Sequence, residues 1–223
     1  MKSQQKLRQL WNSFKTKQVN AEFISASCIT SVRARSELME VKHRIGKPIL
    51  KFPLENWMVK DDDVCVGRWV ETNDNVYGSP IGGYSWGVWW VGVLQQGHVG
   101  VGAYRIHDSH GNLISYRLDV LKCAKILDNT VEFNDLVMDA YIWPPMDATS
   151  TTGVDSSHLE VTIEDGEELE ELCISGDIPT VESDLIKSVI TDVVNNPGKY
   201  RDAIDTAIQS AKESVVCGKG LIL

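Results

Sequence analysis

Acidic side chains in the second half of the sequence have the types and spacing of a site for a divalent cation. Asp119 ends the run Tyr116-Arg-Leu-Asp119, and Asp135 and Asp139 lie four residues apart further on. If 135–139 is extended, Asp135 and Asp139 project from one face, because side chains alternate along a strand. Two such carboxylates repel each other, and a bound cation would keep both ionised. Carboxylate oxygens are the donors that Mg²⁺ and Mn²⁺ prefer.

A second pair of acids opens the next predicted element. Asp165 and Glu168 lie three residues apart at the start of a helical pattern, so their side chains share one face of its first turn. With the three upstream aspartates they make a set of five donors. Such a set can hold one or two Mg²⁺ or Mn²⁺ ions and leave positions for water and phosphate. The same spacing also suits a solvated acidic surface or helix caps.

The charge is distributed unevenly along the 223 residues. The net charge is −9, but residues 1–60 hold 12 Lys/Arg and 4 Asp/Glu (12 − 4 = +8), whereas residues 61–223 hold 10 and 27 (10 − 27 = −17). No Lys or Arg occurs from Ile126 to Leu185, a stretch that holds 16 acids. The acidic majority argues against a broad RNA-binding surface, while the basic first 60 residues can supply cations to phosphate groups.

Cysteine usage and hydropathy narrow the protein class. The five cysteines are scattered without a C-x-x-C pair, which argues against a disulfide framework or a zinc ribbon and fits a reducing compartment. No apolar run reaches the ~20 residues of a membrane-spanning helix. We therefore expect a cytoplasmic protein with no membrane partner. An organelle transit peptide is the alternative interpretation of the basic, acid-poor segment 1–36. The oligomeric state is not indicated.

Turn residues divide the chain into the elements that must position these acids. Alternating and apolar runs from Leu38 onward predict strands, and amphipathic runs after Glu164 predict helices, as does the segment Ser3–Gln18. The predicted strands are Met39–His43, Ile49–Val59, Val64–Glu71, Ser85–Leu94, Gly100–His107, Leu113–Leu121, Thr130–Phe133, Leu136–Ile142 and Leu159–Ile163, and the later helices begin at Asp165, Val181 and Pro197.

The expected fold is α+β, a compact antiparallel β-barrel with an N-terminal helix and C-terminal helices. The corresponding division of the chain is an N-terminal helical extension (1–36), a barrel domain (37–175) and C-terminal helices that pack on the barrel (176–223).

Three runs taken together resemble one protein family. Tyr116-Arg-Leu-Asp119, Phe133-Asn-Asp-Leu-Val-Met-Asp139 and Ile163-Glu-Asp-Gly-Glu-Glu-Leu169 are similar to motifs of the FomD-like/Ntdp-like family. The family includes nucleoside tri-/diphosphate phosphatases and a cytidylyl-phosphonate hydrolase. The resemblance covers about residues 38–175 and includes a matching step from Asp119 to Asp135 (135 − 119 = 16). It implies a barrel whose metal site hydrolyses a phosphoanhydride bond.

The resemblance also implies roles for the individual acids. Asp119 stands where the family has a metal-binding Asn or Asp, and Asp135 and Asp139 match the outer aspartates of its Asp-x-Asp-x-Asp-type strand. Asp165 and Glu168 match the acidic pair that starts the next helix in the family. Val137 replaces the middle aspartate of some members, which leaves open one or two metal ions and also a degenerate, non-catalytic site.

Basic residues are candidates for the cation that faces the transferred phosphoryl group. The family's phosphatase branch has a catalytic Arg after an early glycine turn, and Lys51 is its candidate here, with a surface lysine as the alternative. Arg117 alternates with Leu118 and shares a face with Asp119, so it is a catalytic candidate, or the partner in a cross-strand ion pair. Arg44 is a candidate for binding substrate phosphates.

A glycine-rich aromatic run, Tyr77–Trp90, suggests a loop over a nucleotide. Tyr84 and Trp86 are the candidates for stacking on a base, although a turn that feeds a core strand explains the run equally well.

The predicted function is a metal-dependent nucleotide phosphohydrolase of the nucleoside di-/triphosphatase type. Mg²⁺ or Mn²⁺, with Co²⁺ as a further option, is the expected cofactor, and a nucleotide or nucleotidyl compound is the expected substrate. The alternative is an RNA-binding β-barrel module without catalysis.

Overall fold

The computed structural model describes residues 38–54, 63–70, 83–127, 129–145 and 159–216. The predicted helix over Ser3–Gln18 lies outside the described residues, as do residues 55–59 of the second predicted strand.

Within these ranges, eight strands form one mixed sheet. They are β1 (Leu38–Arg44), β2 (Leu50–Leu54), β3 (Cys65–Val70), β4 (Tyr84–Trp89), β5 (Gly100–His107), β6 (Leu113–Leu127), β7 (Thr130–Trp143) and β8 (Glu160–Glu164). The strand order is β2-β1-β7-β6-β5-β4-β3, and β8 also pairs with β7. All described pairs are antiparallel except β1 with β7, which run parallel.

The described residues also include four helices: α1 (Val91–Gln95), α2 (Gly166–Ser175), α3 (Thr180–Asn195) and α4 (Pro197–Val216). The α+β class and the C-terminal helices are thus confirmed. The strand predicted over Ser85–Leu94 is wrong in its last four residues, which belong to the helix α1, and β7 is one long strand where two were predicted. No described helix is long and apolar enough to cross a bilayer.

The sheet separates two apolar clusters. On one face, called here the helix face, Leu118, Val120 and Ile142 pack against buried residues of α3 and α4. On the other, the inner face, Trp89 and Tyr104 pack with residues contributed by α1 and by β2 to β7. Alternation along β6 sends Leu118 to the helix face and its neighbours Arg117 and Asp119 to the inner face.

The sheet curls around the inner face but does not close. β2 and β3 are the end strands, and they approach where a Cβ on Gly67 would lie 2.9 Å from Leu54 Cδ1. No ladder among the described strands joins β2 to β3. The structure therefore does not support the closed antiparallel barrel expected from the sequence, and the parallel β1–β7 pair makes the sheet mixed.

Glycines allow the curled strands to approach the Trp89 side chain on the inner face. A Cβ on Gly87 would lie 2.3 Å from Trp89 Cη2, and one on Gly102 would lie 2.6 Å from Leu121 Cδ2 and 3.0 Å from Trp89 Cδ1. Trp89 is fully buried, so it has no free space into which to move.

Gly102→Ala is therefore expected to lower the free energy of unfolding by about 1–3 kcal/mol through overpacking. Gly100→Ala on the same strand is the matched control, because among the described residues its Cβ would meet only the flexible end of the Leu94 side chain, at 3.0 Å. Urea denaturation of both variants measures the difference. Equal stability of the two variants would contradict the close-approach argument.

Candidate active site

The candidate site lies at a gap along one edge of β7. β6 pairs with β7 along one side, while β1 covers the other side from Thr130 to Asp135 and β8 covers it from Asp139 to Trp143. β1 ends opposite Asp135 and β8 ends opposite Asp139, so none of the described strands pairs with residues 136–138 on this side. The turn after β1 and the start of α2 therefore meet at this gap.

A backbone irregularity lies between the two β7 aspartates, which alternation already places on one face. Asp139 pairs with Asp119 and Asp135 pairs with Leu121, so four steps on β7 oppose two on β6. Val137 has φ 82°, a conformation that a β-branched residue rarely adopts. The Asp135 carboxylate accepts a hydrogen bond from the Val137 N–H, with Oδ1 at 3.1 Å from the nitrogen, which supports the turn of the chain.

Two buried cations bridge three buried carboxylates in this region. Lys42 Nζ lies 2.7 Å from Asp119 Oδ2 and 3.1 Å from Asp135 Oδ2. Arg117 Nε lies 2.8 Å from Asp119 Oδ1, and its Nη2 lies 2.5 Å from Asp139 Oδ2. These five residues, called here the inner charge cluster, are each less than 10% exposed. Their formal charge is −1, since three carboxylates face two cations.

The excess negative charge affects the pKa values of the three aspartates. Burial raises the pKa of Asp119, but the Arg117 and Lys42 charges outweigh burial and hold that pKa below its ordinary value. For Asp139 the order reverses, because burial and the Asp119 charge place its pKa well above normal despite Arg117. Burial also raises the pKa of Asp135, against the opposing effect of Lys42. A further positive charge here would let all three carboxylates ionise.

An open cavity of about 140 Å³ leads from the inner charge cluster to the surface. At its mouth Glu168 pairs with Lys47, and the Arg44 guanidinium donates to the Pro48 carbonyl at 3.3 Å. Asp165 is exposed there, in a left-handed conformation at the start of α2. The lining residues are Lys42, Arg44, Ile45, Lys47, Leu50, Arg117, Asp135, Val137, Asp139, Asp165 and Glu168.

The donor chemistry of this cavity fits a hard divalent cation. Asp139 Oδ1 is buried and has no hydrogen-bond partner among the described residues, and it stands at a cavity with excess negative charge. The carboxylates are nevertheless turned towards Lys42 and Arg117. In the described part of the chain, no three His, Cys, Asp or Glu side chains surround one point as ligands would. A cation that used both Asp119 and Asp135 would have to displace Lys42.

The structure brings together most of the residues singled out from the sequence. Asp119, Asp135, Asp139 and Arg117 belong to the inner charge cluster, and the cavity also reaches the residues at its mouth, Arg44, Asp165 and Glu168. The cross-strand ion pair considered for Arg117 is present.

Three sequence candidates lie elsewhere. Lys51 is exposed on β2 opposite Val41, whereas Lys42 pairs with Leu50, so Lys51 points away from the cavity. Tyr84 and Trp86 belong to the helix face, on the opposite side of the sheet. The Tyr84 ring is stacked on His107 at a centroid distance of 4.6 Å, and the Arg68 guanidinium also lies over it, so it is not an open surface for a base.

Sequence reasoning missed Lys42 and Lys47 as members of the site. Lys42 lies in the alternating run Glu40-Val-Lys-His-Arg44, where a lysine between apolar and polar neighbours reads as a solvated edge residue. The alternation of side chains along the strand could have identified Lys42, because Lys42 lies two residues before the candidate Arg44 and so shares its face.

Comparisons with known proteins find similar folds but no similar sequence. No family model and no curated protein matches the sequence. Among solved structures, the phosphatase SC4828 with the non-hydrolysable nucleotide GPCP matches with a TM-score of 0.52 and 11% identity, over 72% of this chain and 80% of the other. FomD in complex with CDP matches with a TM-score of 0.50 and 14% identity, over 72% and 82%. At these identities the likeness extends to the fold alone.

Proposed function

We propose that this protein is a divalent-metal-dependent hydrolase that cuts phosphoanhydride bonds of nucleoside di- or triphosphates or related nucleotidyl compounds. The observation that carries the proposal is the inner charge cluster, in which three carboxylates and two cations meet at an open cavity. The two structural neighbours are a phosphatase crystallised with a nucleotide analogue and a protein in complex with CDP, which supports a nucleotide as the ligand.

Asp135 and Asp139 are the proposed principal ligands of Mg²⁺ or Mn²⁺, because both line the cavity and both have raised pKa values that a cation would reverse. Asp119 is fully buried behind them, and in this proposal it holds Lys42 and Arg117, which in turn pair with Asp135 and Asp139. Asp165 and Glu168 supply oxygens from the start of α2. A bound divalent cation would neutralise phosphate charge and make a coordinated water more acidic.

The cations of the chain have separate roles in this proposal. Lys42 and Arg117 hold the aspartates in place, so the carboxylates need little reorganisation when ligand binds. Arg44 and Lys47 stand at the mouth of the cavity, where a polyphosphate would enter, and there they can donate hydrogen bonds to its oxygens. Lys51 has no part in this mechanism, since it faces away.

The alternative of an RNA-binding module is disfavoured by the aromatic residues. Tyr84 is already covered by His107 and Arg68, and Trp86 is only 8% exposed. Base stacking requires an accessible ring face, so these residues do not form a platform for single-stranded RNA. A degenerate, non-catalytic site remains the competing interpretation of Val137.

A phosphate-release panel tests the proposal. The full chain is incubated with nucleoside mono-, di- and triphosphates in the presence of Mg²⁺, Mn²⁺ or Co²⁺, or with a chelator alone. We expect release from di- or triphosphates with at least one of the metals, and none with the chelator. Undiminished release with the chelator would contradict metal dependence, and no release from any substrate with any metal would favour the degenerate site.

A further inference from the structure

A second charged group lies on the helix face, on the other side of the sheet from the cavity. Arg68 on β3, Trp86 on β4 and Arg105 on β5 are direct cross-strand neighbours, so their side chains form one row on one face. Lys212 of α4 joins this row, with its Nζ 5.1 Å from the Trp86 ring centroid, and the Arg68 guanidinium lies 5.9 Å from the same ring.

The positive charge of this row is only partly balanced. Asp205 of α4 is the carboxylate paired with it in the described part of the chain, at 3.4 Å from Arg105 Nε. Asp205 also accepts the Tyr116 hydroxyl, with its Oδ2 at 2.9 Å. Three cations therefore face one carboxylate whose oxygens are already shared.

Two guanidinium groups in the row have a buried Nε that makes no hydrogen bond with the described residues. They are Arg68 Nε and Arg105 Nε, of which the second still forms the ion pair with Asp205. A buried N–H without an acceptor costs free energy, and a charged one costs more. Burial and the charges of Arg105 and Arg68 lower the pKa of the Lys212 ammonium.

We propose that Arg68, Arg105 and Lys212 form a binding site for the phosphate group of a small molecule, separate from the acidic cavity. A tetrahedral phosphate has several acceptor oxygens and a charge near −2, so it can meet three cations at once and satisfy both Nε donors. A carboxylate carries less negative charge than a phosphate and has fewer acceptor oxygens, so it fits three cations less well. The site does not depend on the proposed hydrolysis, since it shares no residue with the cavity.

The Trp86 ring gives the site its shape. It lies between the two arginines in the row and is 8% exposed, so it helps to shield their buried Nε atoms from water, whereas Lys212 is exposed. A partly desolvated group of cations binds an anion more strongly than the same charges on an open surface.

Isothermal titration calorimetry of the full chain with a chelator present tests this site. The titrants are inorganic phosphate, glycerol 3-phosphate and acetate. We expect saturable binding of at least one phosphate titrant and no comparable binding of acetate. Tighter binding of glycerol 3-phosphate would identify a phosphomonoester as the ligand, whereas tighter binding of inorganic phosphate would identify the free anion.

Variants localise the binding. Arg68→Gln and Lys212→Gln are each expected to weaken phosphate binding about 10- to 100-fold. Lys125→Gln, a lysine near the far end of β6, is the matched control and should leave the affinity unchanged. Asp205→Asn should strengthen binding, because it removes the competing carboxylate, and misfolding does not explain a gain. Absence of saturable phosphate binding, unchanged affinity in both weakened variants or equal binding of acetate would overturn the proposal.

Discussion

Asp135→Asn is expected to lower metal-dependent phosphate release from nucleoside di- or triphosphates by about 100-fold or more. Loss of a residue that only supports a metal ligand typically costs 10- to 100-fold, so loss of a ligand itself should cost at least as much. Asparagine keeps the shape of the side chain and can still accept the Val137 N–H, which Asp135 Oδ1 receives at 3.1 Å. The fold should therefore persist. Steady-state assays of kcat and KM measure the loss.

Binding of Mn²⁺ separates this effect from indirect damage. Electron paramagnetic resonance should show weaker Mn²⁺ binding in Asp135→Asn than in the wild-type protein. Asp184→Asn is the matched control, since Asp184 is exposed on α3 and lies outside the lining of the cavity. Its activity and Mn²⁺ affinity should not change. Full activity in Asp135→Asn would exclude Asp135 as an essential ligand and would overturn this assignment of the site.

Lys42→Met is expected to lower the free energy of unfolding by about 3–5 kcal/mol, the typical cost of removing one partner from a buried ion pair. Lys42 is 4% exposed and touches both Asp119 and Asp135, so its removal leaves three buried carboxylates with Arg117 as the remaining cation of the cluster. Lys51→Met on the adjacent strand is the matched control. Lys51 is exposed, so its replacement should change stability by less than about 0.5 kcal/mol.

The pH dependence identifies the electrostatic cause. The pKa values of Asp135 and Asp139 are raised in the folded protein, so the folded state binds more protons than the unfolded state between about pH 4 and those pKa values. These two groups therefore make the protein less stable as pH rises through that window. Asp119 acts in the opposite direction, because its pKa is lowered and its contribution is lost as pH falls.

Lys42→Met removes the positive charge that limits these shifts, so its destabilisation should be smallest in acid and grow towards neutral pH. The wild-type lysine stays protonated throughout, because its own pKa is raised by Asp119 and Asp135 against the effect of burial. Urea titrations at a series of pH values measure the trend. A destabilisation that does not vary with pH would point to lost packing as the cause and would contradict the electrostatic account.

Local patterns account for the elements that the sequence predicted correctly. Alternation placed β5 at Gly100–His107, and the turn residues Asp108–Asn112 placed its hairpin with β6. The proline at the start of α4 and the acids at the start of α2 marked helix boundaries. These signals act between near neighbours in the chain, so one sequence is enough to read them.

The sequence by itself determined which acids belong together. Asp119, Asp135 and Asp139 lie on two consecutive strands, β6 and β7, whose antiparallel pairing follows from their short connection. Their convergence was therefore predictable, although the irregularity at Val137 was not.

Only the tertiary structure decided what occupies the space between the acids. Lys42 pairs with Asp119 across 77 residues of chain, and this contact depends on the parallel β1–β7 register, which no local pattern specifies. The same long-range arrangement turned Lys51 outward, put Tyr84 and Trp86 on the helix face and left the sheet open between β2 and β3. Strand order and register come from the packing of the whole sheet, because a strand can exchange neighbours without any change in its own alternation.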